Sequence, residues 1–382
     1  MISTNDATDF NHVNPAHPKS ILLVGSWPSD TGYAWKMIER FWIAIAKAFP
    51  DRRTVLCFPV VREVNPEILA AGIEVIEFSF DFSDSHALST FCRRHNVGLI
   101  YLTDQPYTST IYPALRKSGV ERIVIHDHTP GQRTRPAGIK RLLKKFRHRL
   151  LGADTYIACS DQVLDRLITV GCIPASHCHL ARNGIDLSLF RNQHATIRQD
   201  LGLAPETILA VSSSRLHPYK RVRDIVDAAA LLSDINIHFL HLGDGPEFGT
   251  LQARINERGI AARFTLLGRR TDVPEILAGC DIGVHASNGE VGLCLAILEF
   301  MATGLALAVT DEPTVSGVVE PNVTGLTYPH GSVAALAELL RTLAKDLPLR
   351  QRLGTAARRF AELNYPIEQT IESVVSAIRS TL

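Results

Sequence analysis

At 382 residues the chain is long enough for two domains of ordinary size, each with its own apolar core. Its 40 Lys and Arg against 39 Asp and Glu leave a net charge of +1, which gives no global argument for a nucleic-acid or membrane partner. No run approaches transmembrane length, the first 19 residues are polar without an apolar signal core, and seven scattered cysteines lack CxxC spacing, so the expectation is a soluble, cytoplasmic protein with reduced thiols.

After that polar tail (1–19), residues 21–25 read as a first strand, followed by a turn and a helix over 33–48. Strand patterns recur at 54–61, 74–79, 99–103, 122–125 and 155–159, with helical patterns between them at 85–94 and 139–151. The strands are continuous apolar runs, not alternating ones, which predicts a parallel sheet covered on both faces. The pattern pauses near Asn183-Gly184-Ile185-Asp186, and the polar residues 187–206 suit a domain crossing. A second series follows, with strands predicted at 207–213, 237–242, 264–267, 282–285, 305–309 and 325–328. Its helices are predicted at 221–232, 247–258 and 273–278, and helical patterns then occupy 333–344 and 349–364. A break at Tyr365-Pro366 precedes a last helix. The organisation predicted is two α/β Rossmann-like domains facing each other across a cleft, over 20–188 and 189–364. The segment 365–382 is expected to pack back on the first domain.

The most informative stretch is Asp281 to Asp311. It reads as strand, glycine loop, helix and strand, the unit that brings a helix N-terminus to the carboxyl edge of a parallel sheet. Glu299 stands out there, because a carboxylate inside an otherwise apolar helix needs a partner. It is either a core ion-pair member or a group that grips a sugar hydroxyl. Arg215 and Lys220 flank the exit of the strand at 207–213. Two cations at that edge are either solvated surface groups or a seat for an anion such as a diphosphate. His126-Asp127-His128 follows the strand at 122–125, where side chains face the cleft, although a structural histidine is the commoner role. Cys172, His177, Cys178 and His179 lie close in sequence but at no ordinary zinc spacing. Finally, Ile139, Leu142, Leu143, Phe146 and Leu150 form one helical stripe beside Lys140, Arg141, Lys144, Lys145, Arg147 and Arg149. No acid occurs between Asp127 and Asp154. That helix is either a solvated face or a docking surface for an anionic membrane or acceptor.

Together these segments resemble the retaining GT-B glycosyltransferases of the large group 1 family (family 4). SSSRLHPYKRVRDIVDAAALL is similar to the family's Arg-x4-Lys segment, HLGDGPE to its G-x-G-P turn, and ARNGIDLSLF to its domain crossing. FTLLGRRTDVPEILAGCDIGVHAS resembles the stretch near the nucleobase, and EVGLCLAILEFMATG the Glu…Glu segment. The resemblance spans roughly residues 20–375, more loosely in the N-terminal half. It implies that Arg215 and Lys220 neutralise a departing donor diphosphate, and that Glu299 binds ribose. Gly292, Leu293, Cys294 and Leu295 would offer backbone amides to the phosphates, while Gly268 and Arg269 would line the base pocket. Gly32 would let the first loop approach the donor, and His126 would lie near the transferred sugar.

One departure concerns the glutamates. The family separates its pair by seven residues, whereas eight lie between Glu290 and Glu299. Either a bulge brings Glu290 to the sugar or that contact is lost. The usual double glycine of the first loop is reduced to Gly32 after Thr31, and the later G-G-x-x-E segment reads Pro313, Thr314 and Gly317. The function implied is transfer of a hexose-type sugar from a UDP- or GDP-sugar to a glycan or lipid-linked acceptor, in envelope polysaccharide, lipopolysaccharide or glycolipid synthesis. No cofactor, metal or nucleic acid is expected, and peripheral attachment at the inner membrane face is expected through the basic stripe. A sugar-nucleotide epimerase, a glycan phosphorylase and a degenerate nucleotide- or membrane-binding homologue are the alternatives.

Overall fold

The computed structural model describes residues 2–3, 18–31, 36–129, 133–191, 193–290 and 293–382. They form two compact units, one of Met1–Arg182 with Gln369–Leu382, the other of Asn183–Glu368.

The strands of the first unit are β1 (Ile2–Ser3), β2 (Ser20–Val24), β3 (Thr54–Phe58), β4 (Glu74–Glu77), β5 (Val97–Thr103), β6 (Arg122–Asp127), β7 (Thr155–Ala158) and β8 (Cys178–Leu180). Its helices are α1 (Lys36–Ala48), α2 (Pro66–Ala70), α3 (Ser85–Arg94), α4 (Ile111–Lys117), α5 (Gly138–Leu151) and α6 (Asp161–Thr169). The sheet is parallel throughout, in the order β1-β4-β3-β2-β5-β6-β7-β8. The direction of winding reverses between β2 and β5, as in other doubly wound sheets. Continuous apolar runs are what such a sheet demands, because its strands are covered on both faces, and β2, β3 and β5 are buried along their whole length. Phe41 and Trp42 of α1 pack into this core with Ile21, Leu23 and Leu56.

Two short helices absent from the predicted elements carry ordinary start signals. Asn65 caps α2 ahead of Pro66, and Ser160 caps α6 by accepting from the Val163 amide. The segment read as a polar tail also holds β1, which pairs with β4.

The second unit contains α7 (Ile197–Asp200), β9 (Ile208–Ser213), α8 (Val222–Ala230), β10 (Ile237–Leu242), α9 (Phe248–Glu257), β11 (Phe264–Leu266), α10 (Val273–Ala278), β12 (Ile282–His285), α11 (Leu295–Thr303), β13 (Ala306–Thr310), α12 (Pro313–Ser316), β14 (Leu326–Tyr328), α13 (Val333–Lys345) and α14 (Leu347–Asn364). Its parallel sheet runs β11-β10-β9-β12-β13-β14, so the same reversal falls between β9 and β12. Gly304 ends α11 in the left-handed region (φ 83°), where a side chain would be strained. Gly354 of α14 packs on that turn so closely that a Cβ would lie 2.0 Å from the Gly304 carbonyl oxygen. The crossing residue Ile185 exchanges backbone hydrogen bonds with Tyr365 and Ile367 as the chain returns. The last helix, α15 (Ile367–Arg379), then carries the chain into the first unit, where Val374, Ala377 and Ile378 join its core.

Candidate active site

In a doubly wound sheet, the loops at the reversal diverge to opposite faces and leave a crevice at the carboxyl ends of the strands. In the second unit those loops leave β9 and β12, and they carry Arg215, Lys220 and Glu290, with His285 the last residue of β12. Arg215 is exposed just past β9. Its neighbours are pinned by the turn after β10: the Ser214 amide donates to the Leu242 carbonyl (3.0 Å) and the Leu216 amide to the Asp244 carbonyl (2.9 Å). Gly243 permits that approach, since a Cβ there would sit 2.0 Å from the Ser214 carbonyl oxygen. The Gly243 amide also donates to the Gly268 carbonyl (2.8 Å), which ties the exit of β10 to that of β11. Arg269 follows it, exposed. The Arg-x4-Lys segment, the glycine turn and Gly268 therefore lie side by side along one sheet edge.

Lys220 closes a single helical turn before α8, its side chain only 11% exposed and its ammonium over the Tyr219 ring. It meets Glu290, whose carboxylate also accepts from His285 Nε2 at 2.8 Å. Burial opposes charge on both partners. Even so, the Glu290 carboxylate raises the Lys220 pKa, while His285 and Lys220 hold the Glu290 carboxyl well below the usual carboxylate range. The cluster is thus a buried, charged hydrogen-bonded unit. The Glu290 amide donates to Thr314 Oγ1 (2.9 Å), and the Thr314 amide in turn donates to Glu312 (2.9 Å). Thr314, where the sequence departs from the family pattern, thereby holds the Glu290 loop. Its carboxylate is directed to Lys220 and His285, not presented alone to a sugar.

Leu293 is half-buried, Cys294 is buried and opens α11 as its N-cap, and Leu295 begins the helix. Cys294 makes no side-chain capping bond, so the first-turn amides of α11 keep the capacity to bind an anion. Cys294 Sγ lies 3.5 Å from His285 Nε2. Glu299 lies in the next turn of α11, 9% exposed. Gly32 and Gly292 lie outside the described residues.

At the carboxyl edge of the first sheet, His126 is fully buried. Its Nδ1 is 2.6 Å from the Tyr101 hydroxyl, and its ring packs against Phe41 and His128. Burial lowers its pKa well below the ordinary value, so the imidazole is neutral. The position was read as facing the cleft, yet β6 runs two residues longer than predicted and keeps His126 inside the sheet. Beside it, Asp127 forms a buried ion pair with Arg166 (3.0 Å) and accepts from Tyr107 and Thr129. Arg166 escaped the sequence reading because α6 did. In sequence, His285 reads only as the end of a strand. The signal for both was a charged or titratable residue adjoining an apolar run.

The helix α5 differs from every other long helix in its exposure. Ile139 is 73%, Leu142 67% and Phe146 62% exposed, and among its described residues only His148 is buried. The apolar stripe is therefore not consumed by packing on the sheet, and it stands open beside the six cations. No helix of the described residues is long and apolar enough to cross a membrane.

Residues 193–360 match the family model "Glycosyl transferases group 1", and residues 38–189 match "Glycosyltransferase Family 4". The chain is similar to the N-acetyl-alpha-D-glucosaminyl L-malate synthase of Bacillus anthracis, 24% identical over 308 residues, covering 78% of this chain and 80% of that one. It is also similar to the UDP-Gal:alpha-D-GlcNAc-diphosphoundecaprenol alpha-1,3-galactosyltransferase of Escherichia coli, 32% identical over 137 residues, about a third of each protein (34% and 35%). Among solved structures, Anabaena Alr3699/HepE in complex with UDP and glucose superposes with a TM-score of 0.74 at 21% identity, covering 95% of this chain and 100% of that one.

Proposed function

Since the chain belongs to the group 1 glycosyltransferases of GT-B type, we propose that it transfers a hexose-type sugar, with retention, from a UDP- or GDP-sugar to a glycan or lipid-linked acceptor. The observation that supports this reading is that Arg215, Lys220 and the N-terminus of α11 all follow the carboxyl ends of β9 and β12, the two strands at the reversal of the second sheet. A diphosphate seated there gains two cations and the first-turn amides of a helix, and these contacts strengthen as the bond to the sugar breaks and charge builds on the leaving group. In the free protein Glu290 occupies Lys220, so it serves as a built-in counter-anion that the donor must displace. Glu299 grips the ribose hydroxyls, and Leu293, Cys294 and Leu295 present amides to the phosphates. Gly268 and Arg269 border the base. Transfer needs no metal, because fixed cations supply the charge.

The open stripe of α5 supports an acceptor drawn from an anionic membrane surface, where each nearby Lys or Arg contributes about 1 kcal/mol. In this reading the enzyme works at the inner face of the membrane and extends an envelope glycan or glycolipid. The engaged state of Glu290 favours one competing reading, a nucleotide-binding homologue without turnover. A mass-spectrometric screen for sugar release from UDP- and GDP-sugars by the purified chain tests both. Release from at least one donor is expected, whereas nucleotide binding without release from any donor supports the competitor.

A further inference from the structure

We propose that His285, Glu290 and Cys294 form a binding site for one zinc-class divalent cation. The fold dictates the convergence. His285 is the last residue of β12, Glu290 sits in the loop that follows, and Cys294 is the N-cap of α11, so the strand-loop-helix turn folds three donors onto one point. Their ligating atoms all lie within 4.8 Å of one another, with His285 Nε2 at 2.8 Å from Glu290 and 3.5 Å from Cys294 Sγ. A tetrahedral zinc with ordinary Zn–N, Zn–O and Zn–S bonds separates its ligand atoms by roughly 3.3–3.8 Å. The sulfur-to-nitrogen distance already fits, and the nitrogen-to-oxygen distance needs to open by only about half an ångström. One imidazole, one carboxylate and one thiolate suit zinc, cadmium or cobalt far better than magnesium or calcium, which want oxygen alone.

The surroundings are those of a metal site. All three side chains are buried or nearly so, and the Glu290 loop is tied to Thr314. On binding, the Cys294 thiol and the His285 Nε2–H each give a proton to solvent, and the metal–sulfur and metal–nitrogen bonds take their place. The cation, carboxylate and thiolate then sum to neutral, Lys220 is released from Glu290, and a fourth position stays open to water. The site needs none of the assignments made for the donor, and transfer itself is proposed to run without metal.

The test is titration of the chelator-treated 382-residue chain with Cd2+, followed by ultraviolet cadmium–thiolate absorption, and with Zn2+, followed by calorimetry. One equivalent of each is expected, with the absorption present. Cys294→Ser should abolish the band, Glu290→Gln should weaken binding about tenfold or more, and Cys178→Ser should change neither. Absence of saturable uptake by the wild type overturns the site, as does an unchanged band in Cys294→Ser. His285→Gln, which leaves every thiol in place, carries the same two outcomes should the cysteine variant fail to fold.

Discussion

Lys220 is the residue on which the donor-site chemistry turns, because its ammonium is nearly buried and already satisfied by a carboxylate. Removing it takes one charge from the developing diphosphate, so Lys220→Ala should cost about 2–4 kcal/mol in transition-state stabilisation, read as a fall in kcat/KM. Arg215→Ala should act in the same direction, and it should leave melting unchanged because Arg215 is exposed. Glu299→Gln is expected to raise the donor constant by about 1–3 kcal/mol with less effect on kcat, since a buried hydroxyl pair loses its charged acceptor. Equal kinetics for the wild type and Glu299→Gln would place the ribose contact elsewhere.

Elements explain what was legible in the sequence. The apolar runs of β10 and β12 and the pattern of α3 and α10 were readable to the residue, because parallel strands buried on both faces and short amphipathic helices leave strong local signals. Arg215, Lys220 and Glu290 were legible as candidates, since charge beside a strand exit is conspicuous. Their pairing was not, because the contact spans 70 residues and depends on a loop held by Thr314. The fate of the α5 stripe was likewise open, as amphipathic periodicity is the same whether the face is covered or free. At this scale Gly354→Ala is expected to be among the most damaging single changes, because its Cβ would strike the Gly304 carbonyl and force α14 off α11. A loss of about 1–3 kcal/mol, measured by urea unfolding, is the expected result. For α5, changing Lys145, Arg147 and Arg149 together to Gln should abolish sedimentation with anionic vesicles at low salt and leave melting unaffected, since these positions are exposed. Retention of vesicle binding by the triple variant would remove the electrostatic role.

Across the whole molecule, the described residues of each unit include a buried carboxylate–cation pair at the carboxyl edge of its sheet: Asp127 with Arg166, and Glu290 with Lys220. In both, burial alone would raise the carboxyl, and the hydrogen bonds and cations around it bring it below its ordinary value. Their contributions are therefore fully present above the unfolded carboxyl pKa, about 4, and are lost as pH falls through the depressed folded values. Thermal melting should accordingly be flat in this respect above about pH 5 and fall below about pH 4, and Asp127→Asn should blunt that fall while costing about 3–5 kcal/mol at neutral pH. Isothermal titration of the 382-residue chain with UDP and with GDP should show one site for at least one of them, weakened about tenfold or more in Arg215→Ala at unchanged melting temperature, and likewise in Lys220→Ala, whose melting falls with the loss of the buried pair. Equal affinity in all three proteins, or no binding of either nucleotide to the wild type, would contradict a diphosphate seat at the reversal of the second sheet.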